Sequence, residues 1–140
     1  MTGYAGENLN IIRALGLRVR QVTASAMPGL AHELAKHDLI IDAIGGTGIT
    51  GPLRGDLAAA VEQVNLAGRP VLAVDIPTGL DCDTGTASGP VIRAAMTVTM
   101  VARKKGFDVP GSVEFTGEVV VADIGIPYEI MVGTPSPPKS

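Results

Sequence analysis

Aromatic residues are scarce: two Tyr, two Phe and no Trp among 140 residues, 3% of the chain. A core built almost without rings must be filled by Val, Ile, Leu and Ala. A single cysteine, Cys82, excludes an internal disulfide framework and fits a reducing compartment. Eleven basic against fourteen acidic residues give a formal net charge of −3, so no positive field exists to hold a phosphate backbone. That excludes bulk nucleic-acid binding. No apolar run approaches the roughly 18 residues that span a bilayer, so no membrane partner is expected. The opening Met1–Gly6 lacks the basic and long apolar parts of a signal peptide, and a cytoplasmic location is expected.

What is present is apolar and turn-rich. Hydrophobic residues make up 46% and charged residues 18%, which excludes a wholly disordered chain. Eighteen Gly and ten Pro are interleaved with apolar runs, as in a layered α/β domain with many tight turns. The length fits one domain. Helical spacing predicts helices over Glu7–Leu15, from Pro28 to Lys36, and over Asp56–Ala67. The alternation of Leu17–Val22 predicts an edge strand. Asp38–Ile44, Pro70–Asp75, Ala95–Val101 and Glu118–Ile124 are near-continuous apolar runs, which suit parallel strands buried on both faces. Pro90–Ala95 is read as one or two helical turns. The tail, residues 131–140, is Pro/Ser-rich and expected to be disordered. Strands alternating with helices predict an α/β fold with a parallel sheet and helices on both faces.

In such sheets ligands bind beyond the carboxyl ends of the strands. Three candidates stand there. Asp42 is followed by Gly45-Gly46-Thr47-Gly48-Ile49-Thr50-Gly51-Pro52, whose N–H groups can approach an anion, or which is simply a ligand-free turn. It is not the dinucleotide fingerprint, because Pro52 interrupts before the helix starts. Asp75 opens the loop Ile76-Pro77-Thr78-Gly79-Leu80-Asp81. A carboxylate there can serve as acid or base, bind a ribose hydroxyl, ligate a cation, or cap the loop. Lys104 follows the third run and by itself reads as a solvated lysine. Asp42 and Asp75, with hydroxyl and carbonyl groups from Thr78 and the glycine loop, would also suit an all-oxygen shell for a hard cation. His32 and His37 read as surface residues, and the carboxylates flanking Cys82 disfavour a thiolate.

Taken in order, Asp38–Gly48, Val74–Asp81, Asp83-Thr84-Gly85, Thr97–Met100, Lys104-Lys105-Gly106 and Gly117–Pro127 resemble the YjeF N-terminal domain family, the NAD(P)H-hydrate epimerases. The resemblance covers about Ala5 to Pro127. It implies a Rossmann-like three-layer α/β/α sandwich with a mostly parallel sheet, often dimeric. It implies an isomerase that interconverts the R and S epimers of NADHX and NADPHX in nicotinamide nucleotide repair, serving a partner NAD(P)H-hydrate dehydratase. It places a potassium ion on Asp42 and Thr78, and substrate contacts on Gly46, Thr47, Gly48, Ile49, Thr50, Gly51, Pro52 and Asp75. Asp75 is the expected catalytic acid/base, and Lys104 matches a family lysine near the same cleft.

Three departures accompany the resemblance. Thr78 stands where the family usually has Ser, which keeps the hydroxyl. Gly45 stands where a bulkier residue is usual. The family's upstream strand and Asn-Asn-Gly-Gly-Asp loop have no counterpart here. The expectation is therefore a partial domain over residues 1–130 with its first βα unit missing. The alternative is a non-catalytic nucleotide-binding or scaffold module of the same fold.

Overall fold

The structure, a computed structural model, describes residues 4–48 and 51–125. Helix α1, Tyr4–Ala14, carries Glu7 in its first turn and Arg13 in its last, each on the favourable side of the helix dipole. Gly16 N and Leu17 N close its last turn onto Arg13 O and Ile12 O. None of its residues is buried. The segment that follows, Leu17–Val22, forms no strand. Alternation makes a strand only where a neighbouring strand accepts the hydrogen bonds. Here Leu17 and Val19 are exposed like Arg18 between them, and an Arg20–Glu33 ion pair ties the segment to the next helix instead.

A 3₁₀ turn at Met27–Gly29 leads into helix α2, Leu30–Leu34, which is shorter than its apolar spacing predicts. Helix α3, Gly55–Leu66, buries Val61 and Val64. Ala31 N donates to Gln63 Oε1 at 3.2 Å and joins the two helices. Helix α4, Val113–Thr116, is a single turn. Residues 90–95, expected to turn helically, run without regular structure.

The strands are β1 Ile40–Asp42, β2 Val71–Val74, β3 Met96–Met100 and β4 Glu118–Ala122. They form one sheet in the order β1-β2-β3-β4, every pair parallel. The parallel α/β architecture is therefore the one the alternating pattern predicts. Register places Ile40, Val71, Ala73, Thr97 and Val119 on one face. That face packs Ile40, Val71 and Ala73 against Val61, Val64 and Ala67 of the α3 region, with Leu53, Ile92 and Ala94. A second cluster, Ile76, Leu80, Val91 and Phe107, fills the space beneath the loops after β2 and β3. The other face carries Ile41, Val120 and Met100, which are 62%, 39% and 36% exposed. The expectation that the first strand is buried on both faces is thus corrected: side chains alternate across a strand, and helices cover the Ile40 side, not the Ile41 side.

Among the described residues, no helix is long and apolar enough to cross a membrane. Ile49, Thr50 and the tail 131–140 lie outside the described residues.

Candidate active site at the strand ends

All four strands run the same way, so β1 and β2 deliver Asp42 and Asp75 to the same edge of the sheet. Asp42 is the last residue of β1 and points into the covered face, where it is 2% exposed. The loop after β2 comes back to meet it. Leu80 N donates to Pro77 O at 3.0 Å, closing a turn whose third residue, Gly79, has φ +95°. Only glycine suits that turn, and a β-carbon there would also collide with Pro90 O. The turn presents Thr78. Its N–H donates to Asp42 Oδ2 at 2.8 Å and its hydroxyl to Oδ1 at 2.7 Å. Ile44 N adds a third donor at 3.2 Å, and Gly45 N donates to Thr78 Oγ1 at 3.1 Å.

A buried carboxylate ordinarily has a cationic partner. Among the described residues, no Lys, Arg or His forms an ion pair with Asp42. Its oxygens, Thr78 Oγ1 and the Gly45 carbonyl (3.4 Å from that hydroxyl) form an all-oxygen donor set. An all-oxygen set of this kind suits a hard cation.

Beside it lies a cavity of about 40 Å³, lined by Gly46, Gly51, Pro77, Thr78, Leu80 and Ser88. About 10–15 Å³ of such space holds one water, so the cavity has room for an ion or a few waters. The neighbouring Thr47, Gly48, Gly51 and Pro52 are exposed. Ser88 is a wall residue that the sequence pattern does not mark.

Asp75 is the second centre. It follows β2 with φ +70°, a conformation Asp tolerates better than most residues. Its N–H donates to Val98 O at 2.8 Å, so the backbone stays tied to β3. Three donors converge on Oδ1: Lys104 Nζ at 2.8 Å, Thr99 Oγ1 at 3.2 Å and Met100 N at 3.3 Å. Partial burial pushes the carboxyl's pKa up. The Lys104 hydrogen bond, the Met100 N–H, the lysine charge and the Thr99 hydroxyl outweigh that and hold it below the ordinary carboxylate value. Asp75 is therefore ionised at neutral pH, with Oδ1 engaged and Oδ2 directed to none of these donors.

Lys104 is not the solvated lysine that its sequence context implies. It is 21% exposed and bound to Asp75 and to Met100 O, the latter at 3.3 Å. Thr99 has no assigned role in the sequence beyond its place in the Thr97–Met100 motif, because a threonine inside an apolar run reads as strand filler. Asp81 takes the capping role. Its Oδ1 accepts from Asp83 N at 2.9 Å and Thr84 N at 2.8 Å, and these bonds lower its pKa. The loops after β2 and β3 lock where Gly106 N donates to Cys82 O at 2.8 Å. There a β-carbon on Gly106 would lie 2.6 Å from Gly85 N.

The family described as YjeF-related protein N-terminus matches residues 1–106. A Rhodopirellula baltica protein named NAD(P)H-hydrate epimerase is 37% identical over 131 residues, which are 94% of this chain and 52% of that protein. Another of that name, from Pirellula staleyi, is 41% identical over 128 residues, covering 91% and 55%. The bifunctional NAD(P)H-hydrate repair enzyme Nnr of Pyrobaculum aerophilum is 47% identical over 98 residues, 69% of this chain and 20% of that protein. The chain thus spans about half the length of the two epimerases. The crystal structure of yeast ynu0 has the same fold, with a TM-score of 0.71 at 24% identity over 94% of this chain and 55% of that one. With a parallel sheet of this order and a family match over most of its length, the chain belongs to the YjeF-related N-terminal domain family.

Proposed function

We propose that this site epimerises NADHX and NADPHX, the hydrated nicotinamide cofactors, and acts as an isomerase in nicotinamide nucleotide repair. The observation that carries the reading is the Asp75–Lys104 pair at the sheet's carboxyl edge, with one carboxylate oxygen held and the other left over. Epimerisation inverts a ring carbon that bears a hydroxyl beside nitrogen. The hydroxyl must leave and return on the other face, or a proton must be moved. Either course exchanges a proton at one fixed point, which is general acid/base work. Asp75, ionised, takes the proton at Oδ2 and gives it back as the hydroxyl is restored on the other face, so protons balance over the cycle. Lys104 steadies the carboxylate in that state and supplies the neighbouring positive charge.

The loop from Gly46 to Pro52, including Ile49 and Thr50, is the proposed cradle for the substrate's pyrophosphate, through backbone N–H groups. Asp42 and Thr78 would hold potassium, with the Gly45 carbonyl beside them. The ion would add a fixed positive charge near the pyrophosphate. Because one dehydratase accepts one epimer, such an enzyme serves it as a functional partner, consistent with relatives named bifunctional repair enzymes. A homodimer in the cytoplasm completes the proposal.

The test is to incubate R-NADHX with the folded chain and follow the S epimer by chromatography. The expected result is conversion above the spontaneous rate that Asp75→Asn abolishes. Tight binding of NADP⁺ with no conversion would instead support the non-catalytic binding module. Neither binding nor conversion would overturn both readings.

A further inference from the structure

Two neighbouring strands end in the same uncommon way. After β2, Ile76 N donates to Val74 O at 2.9 Å across Asp75, whose φ is +70°. After β3, Ala102 N donates to Met100 O at 2.8 Å across Val101, whose φ is also +70°. A three-residue turn closed in this way around a left-handed centre is the rare and strained form of γ-turn. Asp accepts such a conformation; a residue branched at Cβ does so only under constraint. The constraints are visible. Val101 N donates to Ala122 O at 3.1 Å, which holds the turn against β4, and Lys104 Nζ bonds Met100 O.

What the turn achieves is a reversal. Lys104 lies only three residues past Val101, and a strand continuing straight would carry it roughly 10 Å further from Met100. Instead Lys104 Nζ and Met100 N reach the same Oδ1 of Asp75. The geometry points to Val101 as a positioning residue: its left-handed turn folds the lysine and the Met100 N–H back onto Asp75 and leaves Oδ2 for the substrate. This rests on the reading of Asp75 as the proton-exchanging group.

The experiment is a carboxyl-carbon NMR titration of Asp75 in the full chain, with wild type, Lys104→Met, Val101→Asn, Val101→Pro and Ala102→Pro. Proline at 101 forbids a positive φ, and proline at 102 removes the N–H that closes the turn and drives residue 101 to extended backbone. In either folded proline variant, Asp75 is expected to titrate higher than in wild type, as in Lys104→Met. Adding Lys104→Met to Ala102→Pro should then change it no further. Asparagine accepts a positive φ more readily than a residue branched at Cβ and keeps its N–H, so Val101→Asn should titrate as wild type and melt no lower. A folded proline variant with wild-type titration overturns the proposal. So does Val101→Asn behaving like Lys104→Met or melting several degrees lower, a test that stands even if both proline variants fail to fold. NADHX turnover is measured separately, so a silent wild type would count against the epimerase reading and leave the titration result intact.

Discussion

Replacing Lys104 by Met isolates the charge at the centre of the site while keeping a long apolar stem. The Nζ lies 2.8 Å from Asp75 Oδ1, with the side chains 21% and 26% exposed. At an effective dielectric constant of about 20, two unit charges at that separation attract by about 6 kcal/mol. Desolvation and side-chain ordering cancel most of it, and hydrogen bonds to charged groups net about 1.5–3 kcal/mol. For a chain of this size the loss corresponds to a melting temperature lower by about 4–10 °C at pH 7. The pH dependence identifies the cause. Asp75 has a folded pKa below its unfolded value, so the unfolded chain binds more protons in that window and stability rises with pH there. The contribution is complete above the unfolded pKa of about 4 and disappears as pH falls through the folded value. Wild type and Lys104→Met should therefore differ at pH 7 and converge in acid, as read by urea titration at each pH. A difference of the same size at pH 7 and in acid would refute the ion-pair argument and assign the loss to packing of the lysine stem. No difference at pH 7 would refute the magnitude.

Other outcomes follow from the same geometry. Thr78→Val removes a donor from a carboxylate that is 2% exposed and should cost about 2–4 kcal/mol in denaturant titration, whereas Thr78→Ser, which keeps the hydroxyl, should cost under about 1 kcal/mol. Exchanging potassium for a bulky organic cation should lower the melting temperature of the wild type, and Asp42→Asn should remove that dependence. Val61→Ala, at a site with 0% exposure, should destabilise by about 1–3 kcal/mol with no effect on nucleotide binding, which calorimetry checks. Gly106→Ala would press a β-carbon to 2.6 Å from Gly85 N and 2.8 Å from Asp81 O; both are backbone atoms, so a loss above about 2 kcal/mol is expected on unfolding.

The strand ends were legible because their signals are additive along the chain. Apolar runs closing in Asp42 and Asp75 marked both the strands and the edge where ligands sit. Nothing local joins Asp42 to Thr78, 36 positions apart; that they share a cleft follows from two parallel strands ending at one edge, and the resemblance singles them out as a pair. The Leu17–Val22 alternation misleads because a strand is a property of two segments, and among the described residues that segment has no neighbour to pair with. Met96-Thr97-Val98-Thr99-Met100 hid its meaning differently. Its hydroxyls face the covered side, where Thr97 Oγ1 donates to Thr116 O at 2.7 Å and Thr99 serves Asp75, while its larger apolar groups face the other way. Polarity alone would orient that strand the opposite way. The left-handed Val101 has no compositional signal at all, because its conformation is imposed by β4 and Lys104 against the residue's own preference.

The contact between Gly85 and Gly106 sets the timing of motion around the site. The Gly106 N–H to Cys82 O bond joins the two loops where their backbones pack together, so neither swings out without breaking it. The arm that carries Thr78 and Asp81 and the arm that carries Lys104 should then open together as one cooperative unit. In native-state hydrogen exchange the Gly85, Gly106 and Ile92 amides would share one opening free energy. Whatever is gripped by the first loop would be felt, as slowed exchange, in the second.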